Sequence, residues 1–464
     1  MTPRDFEFAA LPRAQAEVLA KISDLLSRKR ARGYLVGGLV RDYLKGCPSD
    51  DIDIAVAGLE PEAVAVSLAR YPGFSRPVLF PRFKTVMTTG RGLKVEVCRL
   101  EGDVRSDALR RDFTVNCLYV DLVRSRSGAS RILDPSGSGR VDLRARLLRT
   151  PGDPLDALWL DPLRMLRAIR FFATDRFRLS SELASAIERM AYLLTRVSRE
   201  RIRGEIESIL LSSRLESSIT LMARSGILSV ILPELEATAG FEQKTPYHAY
   251  DLLSHLVKTA ARTPRRLDLR LAGLLHDVGK TAVQTPKGGR MVYYGHEAAS
   301  AQVAASTLRR LRFPNRMVRR VEFLVSNHMI NYSREWSDRA VRRFARKMGA
   351  NLPDILNLAV ADRRAQRPGA SADVLLKDLI VRLRRRDVSP PGPLIPVDGR
   401  DIMAILGLRE GPAVGEAKEY LIREAIERGR PLSRTEAIAD LRRWREIAAA
   451  SNARSIGVDK AGRA

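Results

Sequence analysis

Asp51 and Asp53 flank one apolar residue in Asp51-Ile-Asp-Ile-Ala-Val56, a run whose alternation predicts a strand. Side chains two apart on a strand point to the same face. Two carboxylates held there repel each other unless a cation lies between them. Upstream, Val36-Gly-Gly-Leu-Val-Arg-Asp42 predicts a Gly-Gly turn running into a short helix. Such a turn can present backbone N–H groups to phosphate. Gly37, Gly38, Arg41, Asp51 and Asp53 in this order point to Mg²⁺-assisted chemistry on a nucleoside triphosphate. A solvated acidic strand end would explain a lone Asp-x-Asp, but not the ordered set.

Three further segments extend the constellation. Lys94-Val-Glu-Val97 predicts a strand with Glu96 facing away from its apolar neighbours. A third carboxylate on an adjacent strand would complete a two-metal site. Arg110-Arg111-Asp112-Phe-Thr-Val-Asn116 offers guanidiniums for triphosphate oxygens, and a carboxylate and an amide for a ribose hydroxyl. Asp161-Pro-Leu-Arg-Met-Leu-Arg-Ala-Ile-Arg170 predicts a helix entered at Pro162. Its Asp161, Arg164, Arg167 and Arg170 are three apart and share a broad face.

Asp161 and Arg164 suggest how a base could be chosen. Cytosine and adenine each offer an amino donor beside a ring-nitrogen acceptor. A carboxylate accepts from the first while an Arg donates to the second. Uracil and guanine mismatch the pair, and buried unpaired polar groups make the rejection strong.

The elements that position these residues fall into four segments. Residues 1 to 150 mix helices with short strands at Ile52 to Val56, Thr85 to Thr88 and Lys94 to Val97. Residues 151 to 237 read as helix, with Leu160, Leu163, Leu166 and Ile169 as one apolar stripe. Residues 238 to 388 form a further helical segment that holds all five histidines. Ser389-Pro-Pro-Gly-Pro is a linker signal, and a helical tail follows over 394 to 450. The fold class expected is α+β: a head with a small mixed sheet, then all-helical domains.

The chain has 80 Lys+Arg against 54 Asp+Glu, a net charge of +26, which attracts polyanions. The basic residues are spread along the chain, which favours a folded nucleic-acid-binding surface. Cys47, Cys98 and Cys117 make no zinc spacing and read as buried reduced thiols. No apolar run approaches a membrane span, so a soluble, cytoplasmic protein without membrane partners is expected.

The three head-and-helix motifs together resemble the class II tRNA nucleotidyltransferase and bacterial poly(A) polymerase family. Ser198-Arg-Glu-Arg-Ile-Arg-x-Glu205 and Gly399-Arg-Asp-Ile-Met403 extend the likeness over nearly the whole chain. The resemblance implies a catalytic head at 1–150 and a base-reading, RNA-binding neck and body at 151–237. It implies a tail at 394–450 that holds the tRNA acceptor arm. Gly37, Gly38 and Arg41 then bind the triphosphate of CTP or ATP. Asp51 and Asp53, with Glu96, are catalytic, and the two aspartates hold Mg²⁺. Arg111, Asp112 and Asn116 contact the nucleotide. Asp161 and Arg164 read the base, supported by Arg167 and Arg170.

Two departures stand out. Leu160 replaces the Glu usual before the base-reading Asp. The stretch from Val97 to Leu109 is much shorter than in members that add a whole CCA end. The short connection resembles the CC-adding branch, which leaves the last A to a separate A-adding enzyme. Addition of CC, CCA or A alone stays open, with a poly(A) polymerase as the alternative within the class.

His255, His276-Asp277 and Asp362 follow the order of the HD phosphohydrolase signature. By that resemblance they hold a divalent metal in the 238–388 segment. His296 and His328 fall in the same segment, and His248 is not expected among the ligands. A metal-dependent RNA-end phosphohydrolase is accordingly the reading from another class.

Overall fold

A computed structural model describes residues 5–47, 49–80, 84–123, 129–242, 250–287, 290–366, 373–385, 395–428 and 430–458. The linker signal at 389–393 and His248 lie outside the described residues. The chain forms two compact units: Met1–Glu236 with Arg310–Phe313, and Ala237–Arg309 with Pro314–Ala464.

The first unit is built on a seven-stranded sheet. Its strands are β1 (Arg32–Val36), β2 (Asp51–Ala57), β3 (Val78–Phe80), β4 (Thr85–Gly90), β5 (Leu93–Arg99), β6 (Tyr119–Asp121) and β7 (Ile132–Leu133). The spatial order is β3-β4-β5-β2-β1-β6-β7. Only β2 and β5 pair in parallel, so the sheet is mixed. Alternation sorts the side chains. Ile52, Ile54, Val56, Val95 and Val97 are fully buried in the main core of this unit. Helices α1 (Arg13–Arg28) and α3 (Pro61–Ala69) cover them with Val18, Leu19, Ile22, Leu26, Val64 and Leu68. Asp51, Asp53, Glu96 and Cys98 consequently fall on the opposite face. Between β1 and β2 runs α2 (Gly38–Lys45), the helix expected after the Gly-Gly turn.

The stretch from Val97 to Leu109 is mostly regular structure. Strand β5 runs to Arg99, α4 covers Val104–Leu109, and only Leu100–Asp103 connects them. That connection is tied down. The Leu100 N–H donates to the Val56 carbonyl at 2.7 Å, and the Asp103 carboxylate caps α4 at Ser106 N, 2.8 Å. Arg110 Nη1 donates to Glu101 Oε2 at 2.8 Å.

Helices α5 (Pro154–Leu160), α6 (Arg164–Thr174) and α7 (Arg199–Leu210) follow in the same unit. Two expectations are corrected here. Arg178–Leu179 is a short strand parallel to Leu147–Leu148, so the segment is not purely helical. Leu163, Leu166 and Ile169 are buried, but Leu160 is 60% exposed. The physical reason is a break: α5 ends at Leu160 and Asp161 is extended, φ −142°, ahead of Pro162. Leu160 therefore belongs to a different helix from the stripe.

Among its described residues the second unit is helical apart from the antiparallel strands Thr285–Lys287 and Arg290–Val292. Its helices include α8 (Leu252–Arg262), α9 (Leu267–Leu275), α10 (His296–Arg310), α11 (Asn315–Ser326) and α12 (Leu352–Gln366). Helices α8 and α9 touch at Gly273, where a Cβ would lie 2.7 Å from Ala260 Cα. That close approach brings His255 on α8 next to His276 at the end of α9. The tail helices α13 (Gly399–Leu406), α14 (Pro412–Arg428) and α15 (Arg434–Val458) enclose a small core around Ile402, Leu421 and Leu441. A capping box between Asp398 and Asp401 starts α13. All three cysteines are free; Cys117 is buried, but Cys47 is exposed, not buried as expected. No described helix is long and apolar enough to cross a membrane.

Candidate active site

Strand pairing sets the geometry of the acidic face. Asp53 lies across from Val36 on β1 and from Glu96 on β5, and Asp51 lies across from Lys94. Burial raises the pKa of Asp53 to about 6, and the negative charge of Glu96 adds to the rise against Arg111 and Lys94. Glu96 Oε2 lies 3.4 Å from Lys94 Nζ, which draws it along its own strand. Among the described residues, Asp51, Asp53 and Glu96 do not close into a three-ligand group. Gly37 caps α2 at φ +71°, and a Cβ there would stand 3.1 Å from Asp53 Oδ2. Only glycine adopts this turn without strain while leaving the carboxylate open.

Arg111 stands on the same face. Its Nε donates to the Tyr119 hydroxyl at 2.7 Å and its Nη2 to Asp107 Oδ2 at 3.0 Å. The Tyr119 hydroxyl donates to the same Asp107 oxygen at 2.6 Å. The clamp leaves Nη1 beside Gly37, 3.7 Å from where a Cβ would be. Asp107 and Tyr119 were not singled out from the sequence, because no motif spacing links them to Arg111.

Asp112 is the most connected carboxylate of the site. Oδ1 accepts from Phe113 N at 2.8 Å and from Asn116 Nδ2 at 2.8 Å. Oδ2 accepts from Arg167 Nε at 2.9 Å and Nη2 at 2.6 Å. Burial opposes the charge, but Arg167 and Asn116 outweigh it and hold Asp112 well below the usual carboxylate range. The network continues: Arg41 Nη1 donates to Asn116 Oδ1 at 2.8 Å, and Arg41 pairs with Asp42 at 2.9 Å. Phe171 lies between Arg41 and Arg170, whose guanidinium carbons are 4.9 and 4.6 Å from its ring centroid. Asp112 and Asn116 thus spend their hydrogen bonds inside the protein, joining α2 to α6.

The four charges expected on one face go to separate partners. Asp161 is held by Arg201 of α7, with Nη1 3.3 Å from Oδ1 and Nη2 2.9 Å from Oδ2. Arg164 is buried; its Nη2 donates to the Arg110 carbonyl, while its Nη1 is buried without a hydrogen-bond partner among the described residues. Arg170 Nε donates to Glu205 Oε2 at 2.7 Å. Arg164 N donates to the Asp161 carbonyl at 3.1 Å, but their side chains take other partners. The buried Arg164 Nη1 is the strongest sign of a ligand group to come, because an unsatisfied buried donor is costly.

Comparisons with known proteins agree along the chain. The Poly A polymerase head domain matches residues 33–106 and 80–149. The probable RNA and SrmB-binding site of polymerase A matches 176–238, and the HD domain matches 247–366. The A-adding tRNA nucleotidyltransferase of Deinococcus radiodurans is 34% identical over 432 residues, covering 89% of this chain and 95% of that protein. The CC-adding tRNA nucleotidyltransferase of Thermus thermophilus is 35% identical over 427 residues, covering 89% and 93%. The chain belongs to the tRNA nucleotidyltransferase family. Its fold is similar to that of the Bacillus stearothermophilus CCA-adding enzyme in complex with CTP, at 25% identity and a TM-score of 0.60 over 89% of this chain and 92% of that one.

This tRNA nucleotidyltransferase carries a second cluster in its HD segment. His255 Nε2 lies 3.1 Å from Asp362 Oδ1 and 3.3 Å from His276 Nε2. His276 Nε2 lies 3.4 Å from Asp277 Oδ2. Two histidines left out of the expected ligand set join them: His296 Nε2 and His328 Nε2 lie 3.1 and 3.4 Å from Asp277 Oδ1. His276, His296 and His328 each place Nδ1 within 2.9 Å of the carbonyl three residues earlier. Donation there fixes the tautomer and turns the Nε2 lone pair inward, as metal-ligating histidines require. The donors form two overlapping groups, His255-His276-Asp362 and His276-Asp277-His328, each within 4.8 Å. They fit a divalent metal. Lys280 Nζ lies 2.6 Å from Asp277 Oδ2 and, with His276, holds that carboxylate well below its usual range against the effect of burial.

The raised pKa of Asp53 carries a pH signature. The folded protein keeps this proton up to about pH 6, whereas the unfolded chain loses it near ~3.9. No penalty exists below the lower value; it grows as pH rises between the two. Without divalent cations, the wild-type chain therefore loses stability relative to Asp53→Asn across that window. Urea titrations at a series of pH values measure the difference, and added Mg²⁺ removes it. A constant difference would contradict the placement of Asp53.

Proposed function

We propose that this enzyme adds two C residues from CTP to the 3′ end of tRNA, without a template. The observation that carries this reading is the tied Leu100–Asp103 connection. Passing from C to A requires the site to admit a purine where a pyrimidine sat. A head with a short, pinned connection and a base-reading helix locked through Asp112 has little means of making that change. Sequence identity does not decide the matter, since the A-adding and CC-adding relatives stand at 34% and 35%. A separate A-adding enzyme would complete the end.

Each residue then has a role. The N-terminus of α2 at Gly37 and Gly38, together with Arg111 Nη1, receives the triphosphate. Asp51 and Asp53, aided by Glu96, would hold Mg²⁺, which when bound neutralises the triphosphate and makes the attacking 3′-hydroxyl more acidic. Asp161 accepts from the cytosine amino group, and Arg164 Nη1 donates to its ring nitrogen. Arg41, Asp112, Asn116, Arg167 and Arg170 act by position. Residues 1–150 are the catalytic head. The basic surfaces of 151–237 and the 394–450 tail hold the RNA by phosphate and shape.

A second activity is favoured by the HD cluster. Four histidines and two aspartates gathered around two overlapping donor groups suit metal-activated water attacking a phosphate ester at an RNA end.

Transcripts ending before CCA, after C and after CC, each given one nucleotide at a time, test the first reading. Two CMP additions and none of AMP are expected; AMP added after CC, or a long A tail, would overturn it. Asp51→Ala and Asp53→Ala should each lower incorporation by at least about 10³-fold while RNA binding persists. Arg164→Ala should narrow the preference for CTP over UTP at least about tenfold. For the HD site, His276→Ala should abolish metal-dependent hydrolysis of 2′,3′-cyclic phosphate and leave CMP incorporation intact. Hydrolysis surviving in that variant would place the activity elsewhere.

A further inference from the structure

Immediately before Asp161 stand two outward apolar side chains, Trp159 at 57% and Leu160 at 60% exposure. An exposed tryptophan leaves a large apolar area in water, and contiguous patches of this kind mark interaction sites. Trp159 is not bare on both sides. The Arg196 guanidinium carbon lies over its ring, 4.8 Å from the centroid. Arg196 closes the 3₁₀ turn Ala191–Arg196, and five residues later Arg201 grips Asp161 through both carboxylate oxygens. Two ties, Trp159 to Arg196 and Asp161 to Arg201, therefore join the same two segments. They hold the segment that carries the indole, two residues before Asp161, against the segment that grips Asp161. A cation over a ring with much of its surface still in solvent is the arrangement that holds single-stranded nucleic acid.

We propose that Trp159 stacks the terminal base of the RNA 3′ end that is being extended, with Arg196 backing the ring and offering charge to the adjacent phosphate. The inference rests on the base-reading role of Asp161 and Arg164 and adds the subsite for the other substrate. The occupant follows from chemistry. The chain carries a net charge of +26, Arg196 is a cation at the ring, and residues 176–238 match an RNA-binding model. Stacking also suits the task. The terminal base changes with every addition, and a π-face accepts any base where hydrogen bonding would select one.

The test uses the full chain and two readouts. Trp159→Ala should raise KM for tRNA about tenfold while KM for CTP stays within about twofold, and Trp159→Phe should recover most of the loss. The incoming nucleotide stacking there instead would raise KM for CTP, and that outcome overturns the proposal. The second readout needs no catalysis. Without nucleotide or metal, tRNA with a single-stranded 3′ end should quench the fluorescence lost in Trp159→Phe, and tRNA trimmed to a blunt acceptor stem should not. Equal quenching by both RNAs would overturn the subsite, as would an emission shift on concentrating RNA-free protein, which would assign the face to a second copy. A wild-type chain that shows the quench but incorporates no nucleotide would instead sink the proposed function and leave the RNA subsite standing.

Discussion

The Asp112 carboxylate, filled by four donors, is the interaction on which the site depends. Phe113 N and Asn116 Nδ2 take one oxygen, and the Arg167 guanidinium takes the other. Through Asn116 the network reaches Arg41 on α2, and through Arg167 it reaches α6. Helices α2 and α6 are therefore referenced to a single buried charge. Such a charge is tolerated only when every lone pair is satisfied, so removing one member leaves the others exposed to the full desolvation cost. Phe171, buried and set edge-on to Phe113, has the guanidiniums of Arg41 and Arg170 over its ring.

Around this fixed point the acidic face and the Asp161–Arg164 pair are built differently. The acidic face is built by strand alternation, which sets Asp53 across from Glu96 on β2 and β5. The Asp161–Arg164 pair is held by partners from within the protein. Arg164 has Nη2 on the Arg110 carbonyl and Nη1 unsatisfied among the described residues, and Arg201 holds both oxygens of Asp161. In the proposed base-reading role, such preorganisation would make a mismatched base costly, because the buried donor would stay unpaired. The HD cluster follows another logic, in which helices brought together at Gly273 and Ala260 turn imidazoles toward shared carboxylates.

What the sequence revealed follows from periodicity. Asp51 and Asp53 were legible because a strand's period of two is short and unambiguous, and Gly37 because its turn needs a positive φ. The fate of Asp112 was not legible: its main partner, Arg167, is 55 residues away, and a motif does not say whether a carboxylate faces a ribose or a guanidinium. Leu160 was placed in the wrong stripe because hydrophobic spacing does not register a break between helices, although Pro162 signalled one. His296 and His328 were visible as histidines of the right segment, but their approach to Asp277 depends on how α10 and α11 pack. Arg201 lay in a recognised motif, but its pairing with Asp161, 40 residues earlier, was not legible from that motif.

The central claim is that the base is chosen by protein side chains whose position Asp112 sets. The most direct measurement is the ratio of CTP to UTP affinity, taken by calorimetry with Mg²⁺ and no RNA, in the wild type and in folded Asp112→Asn. The account predicts CTP favoured by at least about tenfold in the wild type and a ratio falling toward one in the variant. Equal affinities in the wild type, or a ratio unchanged by the substitution, would contradict it.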